Sequence, residues 1–278
     1  MSGAVVCLLW RCHVSVAVRW EAGGRFSHTL GVSLRERGRS KNMQWPEVVI
    51  FDCDGVLVDS ELIALGQTRA ALEAAGLSLS HAEAVDRFLG LSLDSVVQNA
   101  EADLAAALPA SFRTDLSRAI LERFAGELKG IDGVREAVAG LSGRTCVASS
   151  SPLERIRLAL SLVGYDALFE PNVFSATMTS RGKPHPDLFL YAADRMNADP
   201  RQCLVIEDSA VGVAAAVSAG MDVFGFVGGS HLLGSLQAAR LGAAGASLIF
   251  AEMGRLPEII ARRLRTRDID ISAAGRPS

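Results

Sequence analysis

Four apolar residues, Val48–Phe51, run without interruption and stop at Asp52, Cys53, Asp54 and Gly55. A run this short, with no alternation of polar and apolar positions, reads as a strand covered on both faces. Runs of the same kind occupy residues 145–148, 203–206 and 223–227, and helical patterns over 153–163, 187–196 and 210–219 separate them. Strand and helix in alternation predict an α/β fold built on a parallel sheet with helices on both faces. Such sheets place their sites beyond the carboxyl ends of the strands. The polar residues gather at those ends: Asp52 and Asp54, Ser149, then Glu207 and Asp208.

Between Ser60 and Lys129 the pattern is helical only, over residues 62–75, 82–88, 93–108 and 112–128, punctuated by Gly76, Gly90 and Pro109. Residues 60–130 therefore read as a small α-helical domain inserted after the first strand, and 43–59 with 131–278 as the core. An insert joined by two linkers above a strand-end site is placed to act as a lid. Residues 1–42 differ from the rest, with seven basic side chains, among them Arg11, Arg19 and Lys41, against only Glu21 and Glu36. They are read as an extension, disordered or translated upstream of a protein that starts near Met43. A formal net charge of −3 argues against a nucleic-acid partner, and no apolar run reaches the length that spans a bilayer. The five cysteines show no metal-ligand spacing, and Cys53, Cys146 and Cys203 fall in apolar runs. They read as buried, reduced thiols in a cytoplasmic protein, monomer or homodimer.

Two aspartates followed by glycine are by themselves compatible with a solvated turn. The longer run from Asp52 to Ser60 is more specific: Asp, any residue, Asp, Gly, three residues, Asp59, Ser60. It resembles the first motif of the haloacid dehalogenase superfamily. Ser149, Lys183 before Pro184, and Glu207-Asp208 match the second, third and fourth motifs in order, over almost the whole chain after Met43. The helical insert resembles the α-helical cap of the subgroup that contains sugar-phosphate phosphatases and β-phosphoglucomutase. The resemblance implies a Rossmann-like core and a phosphoric monoester hydrolase using Mg2+. Asp52 would be the nucleophile and form an aspartyl-phosphate, and Asp54 the acid/base. Ser149 and Lys183 would bind the phosphoryl group. The metal would be held by the Asp52 carboxylate, the Asp54 carbonyl and Asp208, with Glu207 assisting directly or through water.

Lys183 stands out in a chain with only two other lysines, Lys41 and Lys129, among 28 basic residues, because a compact ammonium and a guanidinium fork bind phosphate differently. Ser149 alone would read as a cap for the helix near Leu153, and Ser209 as an N-cap. The absence of lysine from Ser60 to Leu128 argues against the phosphonate hydrolases of the superfamily, which use a cap lysine. Ala64 stands where the mutase carries a histidine, and its cap arginine near Gly90 is absent, so a phosphatase acting on a small phosphorylated metabolite is preferred to a mutase. A non-catalytic phosphate-binding module would have no use for Asp54. Glu61, Gln67, Arg69, Arg87 and Gln98 are the candidate cap residues for substrate selection.

Overall fold

The computed structural model describes residues 46–232 and 236–274, with side chains as far as Arg265, and two short strands near the N-terminus. Those strands, β1 (Arg19–Trp20) and β2 (Phe26–Ser27), pair antiparallel within a separate unit, residues 1–43. The reading of 1–42 as an extension otherwise lies outside the described residues. The second unit begins at Gln44.

Its six-stranded sheet is parallel throughout, in the order β5-β4-β3-β6-β7-β8. The strands are β3 (Val48–Phe51), β4 (Arg144–Ser149), β5 (Val173–Ser175), β6 (Cys203–Glu207), β7 (Asp222–Phe226) and β8 (Leu248–Phe250). β3 lies inside, with Val48 opposite both Arg144 and Cys203. Its four side chains have no exposed surface, which explains the unbroken apolar run. Successive side chains on a strand face opposite ways, and two apolar clusters divide along that alternation. Val49, Phe51, Val147, Leu204 and Ile206 join one; Val48, Ile50, Cys146, Ala148 and Val205 join the other. Helices α8 (Asp187–Arg195) and α9 (Ala210–Ser218) cover the second cluster through Leu188, Phe189, Val213 and Ala216. The fold predicted from sequence, with helices on both faces, is the fold observed.

Four helices follow β3: α1 (Glu61–Ala74), α2 (His81–Phe88), α3 (Leu93–Leu104) and α4 (Phe112–Glu127). Their apolar stripes, including Leu65, Leu72, Phe88, Val97, Leu116 and Phe124, belong to the first cluster. The chain leaves and returns side by side, with Asp59 N donating to Lys129 O (2.9 Å) and Ile131 N to Leu57 O (2.9 Å). α3 stops four residues short of the sequence pattern. Ala105 turns left-handed (φ 50°), and the Glu101 carboxylate accepts the Leu108 amide as the chain approaches Pro109. The residue before a proline disfavours helix, so the pattern could not be realised to its end. After α5 (Val134–Gly140) and β4 come α6 (Leu153–Leu162) and α7 (Asp166–Phe169). The remaining helices, α10 (Gln237–Ala244) and α11 (Leu256–Ala274), flank β8 in sequence. No helix of the described residues is long and apolar enough to cross a membrane.

Phe169 of α7 meets Phe51 edge-on, 5.7 Å between ring centroids, and is almost fully buried. Phe169→Ala should cost about 3–5 kcal/mol in urea unfolding. A loss below roughly 1 kcal/mol would mean that this face of the sheet collapses freely around the cavity.

Candidate active site

Three acids meet because two adjacent strands end together. Asp52 N donates to Ile206 O (3.0 Å), extending the β3–β6 ladder by one residue. Asp52 therefore stands beside Glu207, which ends β6, and Asp208 follows. Carboxylate oxygens of Asp52, Glu207 and Asp208 lie within 4.8 Å of one another, and all three residues are buried. Two glycines make room. At Gly55 the chain turns with φ +76°, and a Cβ there would overlap the Asp208 carboxylate; at Gly212, in the first turn of α9, it would overlap that of Glu207.

Lys183 reaches this cluster from the loop between β5 and α8. Its Nζ lies 2.8 Å from Asp52 Oδ1 and 2.7 Å from Glu207 Oε2, with only 5% of the side chain exposed. Glu207 Oε1 accepts from the Ser209 amide (3.1 Å) and hydroxyl (2.7 Å), so both of its oxygens are engaged. Burial pulls the Lys183 pKa down, but Asp52 and Glu207 outweigh it and hold the ammonium charged well above neutrality. Burial pushes Asp52 up, with Glu207 and Asp208 adding and Lys183 opposing. Asp208 is likewise raised by burial, then by Glu207 and Glu61.

Asp54 does not join the cluster. An extended segment would have crowded its carboxylate against that of Asp52, but β3 ends at Phe51 and the chain coils back, Leu57 N donating to Cys53 O (2.9 Å). Asp54 Oδ1 accepts from Ser60 Oγ (2.6 Å) and Arg155 Nη2 (2.9 Å), and Oδ2 from Ser151 Oγ (2.6 Å). Burial favours the protonated acid, yet Arg155 and the two hydroxyls prevail and lower its pKa. Ser149 ends β4, buried, two residues past the Val147 that pairs with Phe51. It does not cap α6, whose preceding residue is Pro152 with no side-chain cap; its Oγ accepts the Ser151 amide (3.2 Å). Ser209 does cap α9, accepting from Gly212 N (3.0 Å).

Arg155, Ser151 and His231 are site residues that sequence reasoning passed over. Ser151 lies two residues beyond Ser149, in the serine run at the end of β4. His231 follows Gly228, Gly229 and Ser230 after β7, another polar run at a strand's carboxyl end, and the rule that singled out Asp52 would have found it. Its Nε2 stands 3.0 Å from Asp208 Oδ2, while Nδ1 is buried without a partner. The preceding Ser230 donates its amide (3.2 Å) and hydroxyl (2.9 Å) to Asp59, where the chain enters α1. Burial lowers the His231 pKa, favouring neutral imidazole. Of the candidate selectors on the helical insert, Glu61 lies closest to this chemistry, accepting the Gly90 amide (3.1 Å) with its pKa raised by burial and then by Asp54. Arg87 is paired with Asp103.

Three buried carboxylates against one ammonium leave excess negative charge, and their hard oxygen donors suit a divalent cation. A family model described as haloacid dehalogenase-like hydrolase matches residues 46–220. The chain belongs to that family. It is thus a hydrolase, as the motifs implied. Among similar proteins, a 6-phosphogluconate phosphatase of Escherichia coli is 30% identical over 66% of this chain and 84% of its own. The crystal structure of a conserved haloacid dehalogenase-like protein of unknown function from Agrobacterium tumefaciens shares 36% identity at a TM-score of 0.70, covering 78% of this chain and 99% of that one. A haloacid dehalogenase family hydrolase from Deinococcus radiodurans, solved with phosphate and sodium, shares 30% identity at a TM-score of 0.64, covering 79% and 97%.

The raised acids set a pH dependence. With Asp52 and Asp208 titrating above their unfolded values, these two sites bind more protons in the cation-free fold than in the unfolded chain once pH exceeds ~4, and their contribution to stability falls as pH rises toward the folded pKa values. A divalent cation displaces those protons, so its stabilisation should grow with pH. At about a hundredfold its Kd such a ligand adds ~2.7 kcal/mol. Melting curves with and without Mg2+ should show a larger gain in Tm near pH 8 than near pH 5; an equal or smaller gain at the higher pH would contradict the charge imbalance.

Proposed function

We propose that this chain is a Mg2+-dependent phosphatase that hydrolyses the monoester of a sugar, polyol or sugar-acid phosphate through an aspartyl-phosphate on Asp52. The observation that carries this reading is the division of labour between two carboxylates two residues apart. Asp52 lies against Lys183 amid the acid cluster, whereas Asp54 is held separately by Arg155 and two serines. Carboxylates in such different surroundings are suited to different roles.

Asp52, fixed by Lys183, attacks phosphorus in line and carries the phosphoryl group. Lys183 and Ser149 hold the phosphoryl oxygens, and Glu207 orients Lys183 through the 2.7 Å contact. The Asp52 and Asp208 carboxylates with the Asp54 carbonyl would hold Mg2+, which would supply charge to offset that of nucleophile and phosphate. Asp54, once it leaves the partners that keep it ionised, takes up a proton from solvent, gives it to the leaving oxygen, and then takes a proton from the water that cleaves the phosphoenzyme. The helices α1–α4, residues 60–130 in the domain division, act as a cap whose closure excludes bulk water. His231 positions Asp208. A mutase is disfavoured because Ala64 packs, partly buried, beside the apolar core with no imidazole to offer.

Phosphate release from sugar, polyol and sugar-acid phosphates should require Mg2+, stop with EDTA, and fall roughly a thousandfold or more in Asp52→Asn. The variant should keep its fold, since the change is nearly isosteric and Lys183 retains Glu207 as a partner. Undiminished release by Asp52→Asn would sink the covalent mechanism.

A further inference from the structure

The Asp54–Arg155 pair has a consequence for the substrate. Arg155 projects from α6 with its guanidinium 5.2 Å from the centre of the Phe124 ring of α4. One nitrogen, Nη2, binds Asp54, while Nε is buried with no acceptor. The side chain as a whole is 23% exposed. To reach a leaving oxygen, Asp54 must give up this ion pair. Losing Asp54 would leave this nearly buried guanidinium only the more distant Glu61 carboxylate, which is costly, and the cost falls on the productive complex unless another anion takes the place of Asp54. A carboxylate is the group this guanidinium already binds through Nη2, and its Nε–H is a donor still without an acceptor.

We propose that Arg155 selects the leaving group: in the productive complex its guanidinium exchanges Asp54 for a carboxylate on the leaving alcohol, so the preferred substrates are sugar-acid phosphates rather than neutral polyol phosphates. This rests on the phosphatase reading and narrows it. The exchange makes substrate charge the trigger that frees the acid/base. It also accounts for a guanidinium at this spot, since Ser60 and Ser151 already satisfy the Asp54 oxygens with one hydrogen bond each.

The test compares 6-phosphogluconate with sorbitol 6-phosphate, which differ in a terminal carboxylate against a hydroxymethyl group. The full chain is used with Mg2+, as wild type, Arg155→Gln and Arg155→Lys. Wild type should favour the acid in kcat/KM by about ten- to a hundredfold, the factor of one charge-assisted hydrogen bond. The ratio should fall to near one in Arg155→Gln and stay intermediate in Arg155→Lys. A merely structural role would depress both substrates alike and leave the ratio intact. As a readout independent of turnover of these esters, gluconate should inhibit wild-type hydrolysis of an aryl phosphate more strongly than sorbitol does. A wild-type ratio near one, or a preference that survives Arg155→Gln, overturns the assignment while aryl phosphate hydrolysis upholds the phosphatase. No release from any phosphate, aryl included, overturns both.

Discussion

The site depends on one buried cation. Lys183 lies between Asp52 and Glu207, almost without solvent, and carries a charge that burial alone would remove. Breaking such a pair by deleting one partner typically costs about 3–5 kcal/mol, because the remaining charge is stranded. The clamp ties three parts of the chain together: the loop beyond edge strand β5, the end of β3, and the end of β6. It crosses over β4, which lies between β5 and β3 in the sheet. A lysine is suited to this because its point charge can serve two carboxylates at different angles.

Around that clamp the acids are arranged by backbone geometry. The shared register of β3 and β6 brings Asp52 and Glu207 level, and glycines at 55 and 212 leave room for Asp208 and Glu207. The coil after Phe51 carries Asp54 away to a second cation. Two neighbouring carboxylates thus acquire opposite tendencies, one raised and one lowered in pKa. The helical insert is linked to both. Phe124 of α4 lies under Arg155, and Asp59 at the start of α1 accepts from Ser230, whose neighbour His231 abuts Asp208. Any change in the position of the insert is therefore felt at Asp54 and at the acid cluster.

The fold and the main site were legible because they rest on local patterns. β3 is an unbroken apolar run since both faces are covered, and Asp52, Ser149, Glu207 and Asp208 mark strand ends. Edge strands β5 and β8 were not legible, at three residues each, because runs so short carry no periodicity. Nor was the separation of Asp54 from Asp52, which follows from the chain turning after β3 and from a guanidinium 101 positions away in sequence. Arg155 looked like an ordinary arginine on an amphipathic helix. Only the folded structure shows that it faces Asp54.

The most direct test of the central claim is rapid acid quench of the enzyme turning over a substrate labelled in its phosphoryl group, followed by peptide mapping. On the proposed mechanism the clamped carboxylate receives the phosphoryl, so label should appear transiently on the peptide containing Asp52 and be absent from Asp52→Asn. Phosphate released with no labelled protein at any quench time, or label on another residue, would contradict a nucleophilic Asp52.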